Sequence, residues 1–365
     1  MTTLKLLFAT GGSGGHIYPA LAVAQAAAKR GADPYFLGAR SGMEARIIPQ
    51  EGFPFHGVAA GKWDRQRPDP RQALAALRGL FQALSFTRKI LPGAVIGFGG
   101  FASFPGCVAA SLLRIPLVLH EGNALPGRVT RWFARRARLV IVANPEAQEH
   151  LPRKTTTTYL PMPIREKRVP RDEARRALGL EPDALVTLVM GGSQGSVALN
   201  NAVPSAYRQL AKPGVTVLHS SGPRWHEDLE KAVRDLPNYL VEPYLDATTA
   251  WSAADLAITR AGSSTLAEAA FHSVPLITIP LPTAADDHQL HNAQAFQTAG
   301  GGRLIEERHL QQLPQVWREL LREKPRRQAA QAAKSLSPEG AAESIVSLIG
   351  NLLQGEKRPT SRRAA

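Results

Sequence analysis

The same local pattern heads each half of this chain: a strand-length apolar run, a turn of small residues, and the start of a helix. In the first half Leu4 to Ala9 runs into Gly11-Gly12-Ser13-Gly14-Gly15-His16; in the second Leu185 to Met190 runs into Gly191-Gly192-Ser193-Gln194-Gly195. Around these two starts, further short apolar runs alternate with helical patterns. They are Tyr35 to Leu37, Ala94 to Gly97, Leu117 to Leu119 and Leu139 to Val142, then Val215 to His219, Leu256 to Thr259 and Leu276 to Ile279. Short buried strands separated by helices imply an α/β fold with parallel sheets. The β-prone stretch Thr155 to Tyr159, closed by Pro161 and Pro163, separates the two series. At 365 residues the chain exceeds what one hydrophobic core fills. The expectation is therefore two doubly wound, Rossmann-like domains, residues 1–163 and 164–340. A helix over 341–355 is expected to return to the first domain, and 356–365 reads as a basic tail without order. Ligands of open parallel sheets bind beyond the carboxyl ends of the strands, so two such domains facing one another would line a cleft.

Charge is unevenly spread. The net charge is +14, and residues 1–163 carry +12 of it while 164–355 carry −1. A basic half suits a surface that meets phosphates, of lipid or of nucleic acid. Nucleic acid is disfavoured because no stacking-aromatic motif accompanies the charge, and only Lys357 to Arg363 resembles a basic arm. The single cysteine, Cys107, cannot form an intrachain disulfide, which points to a reducing compartment. The first apolar run is too short for a signal-peptide core, and no stretch approaches the roughly 18 apolar residues of a spanning helix. Contact with a membrane would then be peripheral, at the cytoplasmic face.

The turns narrow the ligand. Glycines let backbone amides approach a phosphate or a sugar, and a helix N-terminus favours negative charge. A P-loop would need Lys and Ser/Thr where His16 and Ile17 stand, and a dinucleotide fingerprint would need a small residue at 17 and an acid directly after the second strand, where Ala39-Arg40 stand. Pro19 is read into the first turn of the helix. Another such turn, Gly97-Phe98-Gly99-Gly100-Phe101, follows a strand in the first half, so the chain has places for two phosphate-bearing ligands. In the second half Arg260-Ala261-Gly262-Ser263-Ser264-Thr265 opens a helix carrying Glu268, a carboxylate suited to accepting from vicinal ribose hydroxyls. Asp286-Asp287-His288-Gln289 and Asn292 follow Pro280-Leu281-Pro282 and offer paired contacts to sugar hydroxyls. His288 and His291 lack a third ligand, so no metal is expected, and no cofactor.

Taken together, Gly11 to His16 with Pro19-Ala20-Leu21, Gly97 to Phe101, His120-Glu121-Gly122-Asn123, Gly191 to Gly195, Arg260 to Glu268, and Asp287-His288-Gln289 with Asn292 resemble the MurG family of GT-B glycosyltransferases, family 28. The resemblance runs to about residue 353. It implies transfer of N-acetylglucosamine from UDP-N-acetylglucosamine to a lipid-linked muramyl-pentapeptide in peptidoglycan synthesis. It also implies that Ser193 and Gln194 approach the donor diphosphate, that Glu268 takes the ribose, and that Gln289 with Asn123 takes the sugar. Ser263, Ser264 and Thr265 belong to the donor site on this reading; Leu245 meets the uracil through its backbone, Tyr244 packs beside it, and Arg165 is a donor-side arginine. Ser13, Gly14, Gly15, Gly99 and Gly100 fall on the acceptor side, the four glycines at its diphosphate. Two departures stand out: Gly122 where the family usually has Gln, and Pro161-Met162-Pro163 where it commonly has Gly-Asn-Pro. The alternatives are another UDP-sugar glycosyltransferase or a UDP-sugar 2-epimerase.

Inverting transfer needs a base for the acceptor hydroxyl and donors for the departing diphosphate. His16 is the candidate base, since a helix N-terminus disfavours imidazolium; Glu121 is its rival. Leu74, Leu77, Leu80, Phe81 and Leu84 recur at helical spacing, with Arg65, Arg67, Arg71, Arg78, Arg88 and Lys89 around them. Trp132-Phe133 with Arg131, Arg135, Arg136 and Arg138 extends this into an expected docking patch for an anionic membrane.

Overall fold

The computed structural model describes residues 3–60, 70–192, 194–210, 214–284 and 287–355. Arg65, Arg67, Ser193, Asp286 and the basic tail lie outside the described residues. The chain divides into two compact units, Met1–Arg165 with Gly340–Ala365, and Glu166–Glu339.

The first unit runs β1 (Lys5–Ala9), α1 (Gly14–Lys29), β2 (Asp33–Ala39), α2 (Glu44–Gln50), β3 (Phe55–Val58), α3 (Pro70–Ile90), β4 (Ala94–Gly97), α4 (Phe104–Leu113), β5 (Leu117–Glu121), α5 (Arg128–Phe133), β6 (Leu139–Val142) and β7 (Thr157–Tyr159). Its seven strands form one parallel sheet in the order β3-β2-β1-β4-β5-β6-β7. Alternate residues of β1 serve opposite faces. Leu6 and Phe8 enter one core with Ile17, Leu21 and Phe36, while Leu7 and Ala9 enter another with Val95, Cys107 and Leu119. Both faces are covered, which is why the strands read as continuous apolar runs. Each buried Leu, Ile, Val or Phe side chain among them contributes about 1.5–3 kcal/mol by leaving water.

The second unit runs α6 (Arg171–Ala177), β8 (Leu185–Met190), α7 (Val197–Leu210), β9 (Val215–Ser220), α8 (His226–Ala232), β10 (Tyr239–Glu242), α9 (Ala247–Ala253), β11 (Leu256–Thr259), α10 (Ser263–His272), β12 (Leu276–Thr278), α11 (His288–Thr298), β13 (Gly302–Leu304), α12 (Leu313–Leu321) and α13 (Glu323–Ser335). Its six parallel strands are ordered β10-β9-β8-β11-β12-β13. The buried indole of Trp317 donates to Thr187 Oγ1 at 3.2 Å, satisfying both polar groups inside the core.

The last helix, α14 (Ala341–Gln354), belongs to the first unit. Ala342, Ile345 and Ile349 enter the same core as Leu6 and Leu21, and Arg30 donates to Ser347 Oγ at 2.6 Å.

In each sheet the strand order reverses once, between β1 and β4 and between β8 and β11. Turns that follow the two strands at a reversal open onto one crevice, where doubly wound folds take their ligands. The turns after these four strands are the glycine and small-residue segments singled out from the sequence. The structure differs on Pro19: α1 begins at Gly14, so Pro19 lies in the second turn and not the first. Having no N–H, it cannot donate to the carbonyl of Gly15 four residues earlier.

Candidate active site

In the first unit, His16 is the third residue of α1 and its amide lies 3.1 Å from the Ser13 carbonyl. Its Nδ1 lies 3.0 Å from Ser13 Oγ. With the Nδ1–H tautomer donating to Ser13, Nε2 carries the lone pair and can take a proton. The turn after β4 presses against this ring. Gly99 and Gly100 have φ of +75° and +70°, and a Cβ on Gly100 would lie 3.0 Å from His16 Nδ1 and 2.7 Å from the Gly11 carbonyl oxygen. Glycine is required there both by the backbone angle and by the approach of the two turns. Gly14, Gly15, His16, Gly99 and Gly100 are thus gathered in one place.

His120 lies beneath, its ring stacked on Phe98 at 5.0 Å. Burial pushes its imidazole down to about 3, with the charge of nearby His16 acting in the same direction, so it is neutral at physiological pH. Its Nε2 is buried without a protein partner. Glu121, the rival base, is buried at the end of β5 and its carboxylate is fully engaged. Oε1 accepts from the Asn123 amide and from Asn123 Nδ2, both at 3.0 Å; Oε2 accepts from the Gly127 amide at 2.9 Å and Thr130 Oγ1 at 2.7 Å. Four donors hold this carboxylate as the anchor of the 122–130 loop and orient Asn123. Arg165, at the boundary between the two units, pairs with Glu51 at 2.7 Å.

In the second unit, Gln194 is exposed, and the turn it belongs to packs on the segment after β9 with no room for side chains. A Cβ on Gly195, at φ +74°, would fall 1.9 Å from the Ser221 carbonyl oxygen, and one on Gly222 would fall 2.4 Å from that of Gln194. A buried chain of hydrogen bonds fixes this segment. Asn200 Nδ2 donates to the Ser221 carbonyl at 3.0 Å, His219 Nε2 lies 3.0 Å from Asn200 Oδ1, and His219 Nδ1 lies 2.8 Å from the Tyr239 hydroxyl. Burial lowers His219 to about 3 and raises the Tyr239 hydroxyl, so both are neutral partners.

Gly262 caps α10, placing Ser263, Ser264 and Thr265 in its first turn, where amide groups lack helical acceptors. Ser264 Oγ is buried without a protein partner. One turn on, Glu268 Oε2 accepts from the indole of Trp251 at 2.9 Å. Gln289, in the first turn of α11, accepts through Oε1 from the amides of Ala261 (3.2 Å) and Leu281 (3.0 Å). Its carbonyl end is thereby fixed. Asn292 Nδ2 donates to the Ala261 carbonyl at 3.3 Å, and Arg260 reaches the carbonyls of Ile279 and Pro280 and pairs with Glu307 at 2.6 Å. These bonds tie the turns after β11 and β12 together. Leu245 is buried, while Tyr244 is 63% exposed. Among the described residues no cluster of three or more His, Cys, Asp or Glu side chains is gathered to hold a metal ion.

Sequence reasoning missed Glu44, Asn200, His219, Tyr239 and Trp251, which hold the site without lying in its motifs. The signal available for two of them was a polar residue, Asn200 or His219, inside an otherwise apolar periodic run.

Residues 6–142 match the glycosyltransferase family 28 N-terminal domain and residues 186–347 match the glycosyltransferase family 28 C-terminal domain. The UDP-N-acetylglucosamine--N-acetylmuramyl-(pentapeptide) pyrophosphoryl-undecaprenol N-acetylglucosamine transferase of Deinococcus radiodurans is 44% identical, over 98% of both chains. The relative of the same name from Deinococcus deserti is 46% identical over 84% of this chain and 87% of its own. Among solved structures, that of Acinetobacter baumannii MurG superposes with a TM-score of 0.78 at 29% identity, covering 96% of this chain and all of that one. Matched along both units, the chain belongs to glycosyltransferase family 28.

Proposed function

We propose that the chain moves N-acetylglucosamine from UDP-N-acetylglucosamine to the C4 hydroxyl of undecaprenyl-pyrophosphoryl-N-acetylmuramyl-pentapeptide, inverting the anomeric carbon. The observation that carries the reading is His16, held by Ser13 at the N-terminus of α1 against Gly99 and Gly100, a base placed where a diphosphate would also dock. The names of the full-length relatives support the same reaction.

On this reading the acceptor diphosphate lies on the amides of the turns after β1 and β4. The C4 oxygen attacks C1 of the sugar, the bond from C1 to the diphosphate oxygen breaks, and the hydroxyl proton passes to His16 Nε2. UDP departs with the electron pair, stabilised by the amides of the turn after β8 and of the first turn of α10. Glu268 accepts from the ribose hydroxyls, Gln289 and Asn123 meet the sugar, and Leu245 with Tyr244 borders the uracil. Glu121, with all four of its contacts satisfied, positions Asn123 instead of taking the proton. The test is UDP release by the purified chain: it should require both substrates together, and release from the donor alone at the same rate would overturn the reading.

The lipid-linked acceptor calls for a membrane surface, and α3 supports one. Leu74, Leu77 and Phe81 share a face and are 68%, 50% and 65% exposed. They line a groove of about 800 Å³ together with Arg40, Arg78 and Lys89. His56, stacked on Phe86 at 4.1 Å, is kept neutral by burial and by the charges of Arg40 and Lys89, which leaves the groove's charge to the arginines and lysine. No described helix is long and apolar enough to cross a membrane, and the reading is peripheral docking on an anionic leaflet at the cytoplasmic face.

A further inference from the structure

The fully buried carboxylate of Glu44 has no part in the chemistry above, yet the β1–α1 turn is built around it. Glu44 is the first residue of α2, and its Oε1 accepts from the Ala39 amide at 2.9 Å, at the end of β2. Its Oε2 accepts from the Gly12 amide at 3.2 Å, inside the glycine turn. Three glycines clear the space it fills. A Cβ on Gly11 would lie 2.1 Å from Oε1, one on Gly42 would lie 2.3 Å from Oε2, and one on Gly38 would lie 2.8 Å from Cγ. No side chain at these positions is compatible with the carboxylate where it stands, so part of the glycine content of this region serves Glu44 and not a ligand directly.

An amide hydrogen-bonded to a buried carboxylate has a fixed direction, and it fixes the peptide planes beside it. We infer that Glu44 is a positioning residue for the acceptor-diphosphate turn: by holding the Gly12 amide inward, it sets the free amides at the start of α1, those of Gly14 and Gly15, toward the diphosphate. The inference rests on the proposed reading of that turn as the acceptor-diphosphate site. It adds the residue that pre-organises the turn, from the first position of α2.

The test uses the full-length protein in two variants. Glu44→Gln keeps the shape but turns one acceptor into a donor facing an amide. Gly42→Ala leaves the turn's own sequence intact and displaces the carboxylate, so it decides the question should Glu44→Gln fail to fold. Each is assayed with UDP-N-acetylglucosamine and two acceptors, undecaprenyl-pyrophosphoryl-muramyl-pentapeptide and its analogue with one phosphate. The expected result is an acceptor KM raised about tenfold, from loss of one charge-assisted hydrogen bond, with the donor KM unchanged and the preference for two phosphates over one reduced. Wild-type acceptor KM and preference in the folded variant would overturn the inference. So would equal rises in donor and acceptor KM, which is the mark of a merely structural residue. If the wild-type protein itself does not distinguish the two acceptors, the reading of the turn fails first, and the role of Glu44 with it.

Discussion

Trp251, 1% exposed, donates its indole N–H to Glu268 Oε2 at 2.9 Å, so the carboxylate proposed to receive the ribose is oriented by an aromatic core residue on another helix. Trp251→Phe keeps the apolar contact and removes the donor. The KM for UDP-N-acetylglucosamine should rise about ten- to a hundredfold, the value of one hydrogen bond to a charged group, while kcat holds. With a 2′-deoxyribose donor the variant and the wild type should differ far less. Steady-state kinetics on both donors checks this.

His16→Ala should lower kcat by about 10²- to 10⁴-fold, the usual contribution of a positioned base, and leave UDP affinity by calorimetry nearly unchanged. Equal losses in turnover and UDP affinity would assign His16 to binding alone.

Acid should unfold the protein through its buried histidines. His120 and His219 are lowered to about 3 and His272 to about 4, each chiefly by burial. Folded they are neutral, while unfolded they titrate near 6.5, so their contribution is complete above that value. As pH falls below it the unfolded chain binds the extra protons, and each histidine costs up to about 1.4 kcal/mol per pH unit until its folded value is reached. Urea midpoints between pH 7 and pH 4 should fall steadily, and the slope should lessen in His219→Gln.

Gly195→Ala places a methyl against the Ser221 carbonyl oxygen at a positive φ. The strain of that backbone angle alone costs about 1–2 kcal/mol, and relief requires the donor turn to move. UDP binding by calorimetry should weaken at least tenfold while acceptor KM is spared.

Arg78→Gln with Lys89→Gln should weaken retention on vesicles containing anionic lipid about tenfold or more, at roughly 1 kcal/mol per cation near the leaflet. Transfer to a short-chain, detergent-soluble acceptor should be unaffected.

Much of the architecture was legible because strands covered on both faces leave near-continuous apolar runs, as β1, β4, β6, β8 and β11 do. The edges were not. β3, β10 and β13, at the ends of the two sheets, are three or four residues long, and sequences such as Gly302-Arg303-Leu304 carry no periodic signal in so short a span. Pairing with a neighbour, which the local sequence does not encode, makes them strands. The glycine turns and the small-residue start of α10 could be read because backbone angle and close approach restrict the residue type locally. Glu44 could not, since Ser41-Gly42-Met43-Glu44 looks like a surface loop until β2 and α1 fold the Gly12 amide onto it. His219 reads only as a strand residue until Asn200 and Tyr239 arrive from two other elements.

The return of α14 to α1 makes the Glu166–Glu339 unit an insertion within the other. Synthesis from the amino end therefore produces seven strands that must wait, with the core that Ala342, Ile345 and Ile349 complete still open, until α14 leaves the ribosome. The inserted unit has every element of its own sheet by then, so the half made first is the half completed last.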